Sequence, residues 1–147
     1  SDGSSAPAKQ TLYDRLGAAD GLTAIVADFL PRAIADPRVN WDRKGVTYGG
    51  FAGIGTKSAA WKATPENVKA LTEHMVQFLS LATGGPTKYQ GKEIGSVHAG
   101  MKITNTEFDA AIGDMKASLH KLGVATPEQK ELLAILESTR PQVVTVR

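Results

Sequence analysis

Apolar residues recur with helical period along most of the chain. Leu12, Tyr13 and Leu16 predict a short first helix ending at Gly17, and Leu22, Ile25, Val26, Phe29, Ala33 and Ile34 predict a second that begins near Asp20. Pro31 lies inside that second helix. It removes one backbone hydrogen bond and should kink or restart the helix, which Asp36-Pro37-Arg38 then closes. Thr64 followed by Pro65 reads as an N-cap and first helical residue, opening a third helix that stops at Gly84-Gly85-Pro86. Along it Leu71, His74, Met75, Phe78, Leu79 and Ala82 form an i, i+3, i+4, i+7 stripe, so His74 is expected to point inward. A shorter segment repeats the stripe with Ile94, Val97, His98 and Met101. Thr104 with Glu107 three residues on is a capping box, opening a helix that ends at Gly123. Thr126-Pro127 with Gln129 opens the last helix, which Pro141 ends. Strand alternation occurs only in the tail VVTV, and the fold class is all-α.

Two stretches stand outside this pattern. Residues 1–10 are small, polar and proline-containing, a flexible linker before a single domain over 11–147. They lack a charged segment followed by an apolar run, so they are not a signal peptide. A chain starting at Ser1 suits a processed, exported or periplasmic bacterial protein, although a trimmed or cytoplasmic chain would look the same. Residues 40–63 hold five glycines and no sustained period, which is long for a structureless connection and suggests a functional reason. GGFAGIGTKS there is not a phosphate loop, because Thr56 stands where the pattern needs lysine and no apolar strand precedes it.

Composition narrows the function. A chain of 147 residues makes one domain, able to bury roughly 70% of its unfolded surface. At 41% hydrophobic and 22% charged it is an ordinary globule, with no run long enough to insert across a membrane. Net charge is +2 with scattered lysines and arginines, which argues against nucleic acid as a partner. Zero cysteines exclude disulfides, thiolate zinc sites, iron–sulfur clusters and covalent CxxCH haem attachment.

Two of the three histidines therefore fall on apolar stripes, 24 residues apart, while His120 near a helix C-terminus reads as a solvated cation. A buried neutral imidazole needs a polar partner, and the Leu, Met, Val, Phe and Ile neighbours offer little. Either each is a core histidine with both nitrogens bonded, or both serve an iron centre in a flat apolar macrocycle. Zinc fits less well, since two further ligands would be needed and no Asp or Glu cluster lies near either histidine.

The chain resembles the group I truncated haemoglobins from TLYDRLGAADGL to its end, apart from the linker and the insertion. LYDRLG with Gly17 and Gly21, ATGGPTKYQG, VHAGMKIT, FDAAI, and LGV followed by TPEQKELLAIL carry the resemblance. It implies a two-over-two helical globin sandwich, helices 20–35 and 65–82 crossing 105–121 and 127–140, with a glycine-rich loop inserted before the distal helix. By the same resemblance His98 is the proximal iron ligand, and His74 occupies the position where some cyanobacterial members supply a distal, sixth ligand. Phe29, Leu30, Leu71, Met75, Phe78, Tyr89, Ile94, Val97 and Met101 are the implied contacts to non-covalently bound haem b.

The departures from the family matter too. Leu30 stands where oxygen-binding and NO-detoxifying members usually carry tyrosine, and Leu71 and Met75 replace distal glutamines. Tyr48 in the insertion could fold back as a donor or stay solvated. The last helix has no histidine for a vinyl cross-link, so the haem should be extractable. Gly95 replaces a usual Lys or Arg, leaving Lys88, Tyr89 or Lys92 for the propionates. The expected function is a monomeric bis-histidyl haem protein for electron transfer or gated binding of O₂, NO or CO, served by a redox partner or reductase. The alternative is a pentacoordinate enzyme for NO dioxygenation or peroxide chemistry. A third reading keeps the fold without the haem, as a domain for protein contacts.

Overall fold

The computed structural model describes residues 10–86, 88 and 93–146. A short α1 (Leu12–Arg15) leads into α2 (Ala18–Ala35). The insertion carries a two-stranded antiparallel ribbon, β1 (Thr47–Tyr48) and β2 (Lys57–Ser58). Then come α3 (Pro65–Ala82), the five-residue α4 (Ile94–His98), β3 (Ile103–Thr104), α5 (Asn105–Lys121), α6 (Thr126–Glu137), α7 (Arg140–Val143) and β4 (Val144–Val146). α2 packs on both α3 and α5, and α5 packs on α6, so the helices pair as the expected two-over-two sandwich requires.

Local chemistry explains the helix starts. Thr11, Thr64 and Thr104 each accept a hydrogen bond from the backbone N–H three residues on, satisfying a donor that the helix leaves free. At Thr104 the box is complete, because the Glu107 carboxylate accepts from the Thr104 N–H at 3.0 Å. α2 begins at Ala18, two residues before the expected start, directly after Gly17 at φ +94°. Gly21 lets α1 and α2 meet, since a Cβ there would lie 1.8 Å from the Leu16 carbonyl oxygen. α2 does not restart at Pro31. The proline is exposed, so the Ala27 carbonyl that loses its donor also faces solvent.

Other boundaries move for similar reasons. α6 is capped by Ala125 without a side-chain bond, so Thr126 is its first residue and not its cap. Pro141 sits at the start of α7, where its missing N–H costs nothing, and does not itself end α6. Among the described residues four short strands appear where the sequence showed only the tail. β4 pairs in parallel with β3, Ile103 opposite Val144, and ties the C-terminus beside α4.

The interior is in two parts. The main cluster joins Leu12, Leu16, Leu22, Ile25, Val26, Phe29, Leu30, Leu79, Met115, Leu119 and Leu132, from α1, α2, α3, α5 and α6. A second, smaller cluster joins Phe108, Val143 and Val144, with Ile94, Ile103 and Ile112 packed against it. α3 belongs to the first cluster and α4 to the second, while α5 contributes to both.

Candidate haem site

His98 ends α4, and its geometry suits a metal ligand. Its Nδ1 lies 2.8 Å from the Ile94 carbonyl oxygen, one turn back. A carbonyl can only accept, so Nδ1 carries the proton and the neutral ring keeps its lone pair on Nε2. Burial lowers the pKa of His98, which favours that neutral form. A hydrogen-bonded Nδ1–H also fixes the ring and raises its basicity towards a metal. The donor chemistry therefore fits axial iron ligation.

α4 is held from behind. Ile94 packs against the second cluster, and α7 packs on α4. The helix stops at Ala99, followed by Gly100 at φ +86°, so Met101 lies in the turn beyond and not on a helical stripe with Val97. Val97 is 37% exposed, and Met101 and Ile94 are half-buried. Tyr89 and Lys92, two expected haem or propionate contacts, lie outside the described residues, and Lys88 is exposed.

The opposite wall is α3, where the inward turn of His74 needs correcting. His74 is exposed. With Leu71 as origin and roughly 100° per residue, Leu79, Thr83 and Ser80 lie at roughly 80°, 120° and 180°, whereas His74 lies at roughly 300°. Those first three are the buried positions, so the direction facing α2 is far from His74. Leu71, Met75 and Phe78 lie on the flank between, half-buried against the main cluster. α3 thus buries one face and keeps a partly exposed apolar flank, with His74 at its outer edge. Phe29 and Leu30 sit deeper, 5% and 2% exposed, in the core on which α3 packs. The Phe29 ring meets Trp41 edge-on at 5.9 Å between centroids.

An apolar flank on α3 and an imidazole with a free Nε2 on α4 are what a haem needs: non-polar faces and an axial nitrogen. Among the described residues no group of three or more His, Cys, Asp or Glu could hold a metal by side chains alone. The donor set favours a metal delivered in its own macrocycle.

Sequence reasoning missed Arg43, which is buried at 5% exposure. Its guanidinium donates to the carbonyls of Met101 (3.0 Å), Lys102 (3.3 Å), Val39 (3.3 Å) and Asn40 (3.2 Å), and to Glu107 (3.1 Å). The root of the insertion is thereby fastened to the turn that follows His98. Tyr48 packs on the same turn, where a Cβ on Gly100 would lie 2.9 Å from its ring. Tyr48 lies on the His98 side of the molecule, bordering a cleft of about 370 Å³ with Val97 and Met101. It remains exposed to solvent at 37%, on a strand of the insertion rather than in an irregular loop. No periodicity marks Arg43 or Tyr48, and a lone arginine in a polar run carries no signal of burial.

Comparison with known proteins bears out the fold and gives the family. The chain is 29% identical to the group 1 truncated hemoglobin of Tetrahymena pyriformis over 135 residues, covering 92% of this chain and 95% of that protein. It is 27% identical to the group 1 truncated hemoglobin GlbN of Mycolicibacterium paratuberculosis over 135 residues, covering 92% and 85%. The crystal structure of the Tetrahymena pyriformis protein in its Fe(III) form superposes with a TM-score of 0.72 at 29% identity, over 92% of this chain and 98% of that one. Residues 56–145 match the family described as bacterial-like globin, and the chain belongs to that family, as a haem-binding truncated globin.

Proposed function

We propose that this globin binds haem b non-covalently with His98 as the proximal ligand and His74 as a sixth ligand, for electron transfer or gated binding of O₂, NO or CO. The observation carrying the proximal assignment is the Nδ1–H to Ile94 bond, which leaves Nε2 free on a neutral ring. For the distal assignment, His74 stands at the edge of the flank formed by Leu71, Met75 and Phe78 and is the one histidine of α3.

Haem supplies iron that changes oxidation state and takes a diatomic ligand. The protein's part is to hold and insulate it. Val97, Met101, Leu71, Met75 and Phe78 offer apolar contact, and His98 fixes the axial direction. Leu30 offers no hydroxyl to a bound ligand, so distal polarity rests on His74. With His74 as a sixth ligand, an external ligand binds in proportion to the fraction of protein in which His74 has swung away. A second reading is favoured by the exposure of His74, which leaves it free to stand off. An open site would then supply chemistry for NO with O₂, re-reduced by an external electron donor, or for peroxide, with His74 as the donor towards the ligand.

The test is the visible spectrum of anaerobic, dithionite-reduced protein beside His74→Ala. Sharp split bands in the parent that merge into one broad band in the variant are expected. One broad band in both would sink six-coordination and move the assay to NO consumption. His98→Gly should lose the parent spectrum and recover an axial-imidazole spectrum when free imidazole is added; an unchanged His98→Gly spectrum would refute the proximal assignment.

A further inference from the structure

The tip of the inserted hairpin is built unlike the rest of the surface. Thr47 pairs with Ser58 and Tyr48 with Lys57, and the same register continues outward to Phe51 opposite Ile54. Phe51 and Ile54 exchange both backbone hydrogen bonds at 2.9 Å. Between them Ala52 and Gly53 hold φ of +52° and +80°, the pair of left-handed residues that a type I′ turn requires. Directly opposed residues share one face of a ribbon, so the two apolar side chains stand together. They are 86% and 78% exposed, the most exposed large hydrophobic side chains among the described residues. Gly50 is needed for this bend, because a Cβ there would lie 2.5 Å from the Ile54 carbonyl oxygen.

The charge within the ribbon has one sign. From Lys44 to Ala63 the chain carries Lys44, Lys57 and Lys62 and no acidic residue. Lys57 lies on β2 opposite Tyr48, whereas Lys44 and Lys62 lie at the root of the insertion near Asp42, whose carbonyl accepts from the Trp61 N–H. All three lysines are exposed, and none joins the ion pairs found among the described residues. A phenylalanine and an isoleucine offer roughly 300–400 Å² in all, well short of the roughly 800 Å² per partner that a stable protein contact uses. A fluid interface does not demand a matching surface. It accepts a narrow apolar tip, and anionic headgroups complement flanking lysines.

We propose that the hairpin is a peripheral membrane-docking element, in which Phe51 and Ile54 enter the headgroup region of an anionic lipid surface while Lys57 engages the lipid phosphates and Lys44 and Lys62, at the root, add longer-range attraction to the anionic surface. Nothing crosses the bilayer, in keeping with the lack of a spanning helix among the described residues. Arg43 and Tyr48 fasten the base of the hairpin to the turn after His98, so docking would set the haem side of the molecule at a defined orientation to the membrane.

The experiment is co-sedimentation of the haem-loaded protein with vesicles of phosphatidylcholine alone or in equal mixture with phosphatidylglycerol. The parent should pellet with the anionic vesicles, less so as salt rises. Phe51→Ser/Ile54→Ser should weaken this by roughly tenfold or more with an unchanged absorption spectrum, since both side chains are exposed. Phe51→Trp should show a blue-shifted emission on the same vesicles. No sedimentation of the parent, equal sedimentation of the double variant, or an unshifted Phe51→Trp would overturn the proposal. So would pelleting without vesicles that the double variant abolishes, which would make a second copy of the chain the occupant of the tip.

Discussion

A single side chain, Arg43, does much of the joining between the insertion and the globin body. Its guanidinium reaches four carbonyl groups and the Glu107 carboxylate, which also closes the capping box at the start of α5. Removing it leaves those acceptors without their donor in a place water reaches poorly. Arg43→Met should cost about 3 kcal/mol in urea unfolding, the range for breaking a buried pair. Arg43→Lys should recover only part of that, because an ammonium cannot fork between the two sides of the contact. If Arg43→Met unfolds at the parental urea concentration, Arg43 is not the fastening. Leu30 and His74 mark the limit of reading at this scale. The missing distal hydroxyl is visible as a letter, but the exposure of His74 depends on which side of α3 meets α2.

Where α2 ends against α5, two carboxyl groups set a pH dependence. Asp114 is 7% exposed, and its pKa is raised to about 6, first by burial and then by the hydrogen bond and charge of Asp36. Asp36 is held well below the usual range, chiefly by its bond to Arg38. The folded chain thus binds the Asp114 proton more tightly than the unfolded chain, whose carboxyl titrates near 3.8. Stability from this group is present at low pH and falls as pH rises from about 4 to 6, whereas that from Asp36 is lost in acid below its unfolded value. Asp114→Asn keeps a donor towards Asp36 and removes the ionisation, so it should raise stability at pH 7.5 by about 1 kcal/mol, the gain vanishing near pH 4. Thermal melts at both pH values check this, and an equal effect at the two would refute it. The elements themselves divide by legibility. Helices with a threonine cap and a 3.6-residue stripe are written in neighbouring letters, so α3 and α5 lie where the pattern puts them. The ribbon at 47–58 depends on left-handed turn residues and glycines, with no alternation of apolar and polar side chains. The parallel pairing of Ile103 with Val144 depends on contact between segments far apart in the chain.

The whole molecule holds its candidate site between two apolar clusters of unequal size. The larger spans five helices and contains Phe29, Leu30 and the inner face of α3. The smaller has Phe108, Val143 and Val144 at its centre, with Arg140 stacked 4.4 Å over Phe108, and it supports the helix that bears His98. The pairing of β3 with β4 and the packing of α7 on α4 are what secure that second unit. A haem bound by His98 and by the flank of α3 would bridge the two, adding on the order of 3 kcal/mol at a concentration a hundredfold above its dissociation constant. The two units should respond unequally to its removal. Extraction should speed amide exchange most in α4, β3, α7 and β4, and least in α2, α5 and α6, whose shared core does not depend on the proximal segment. Hydrogen exchange of the haem-loaded and haem-extracted protein, compared segment by segment, checks this. Uniform loss of protection would mean that the two clusters fold as one unit, and unchanged protection at α4 would remove the bridging role.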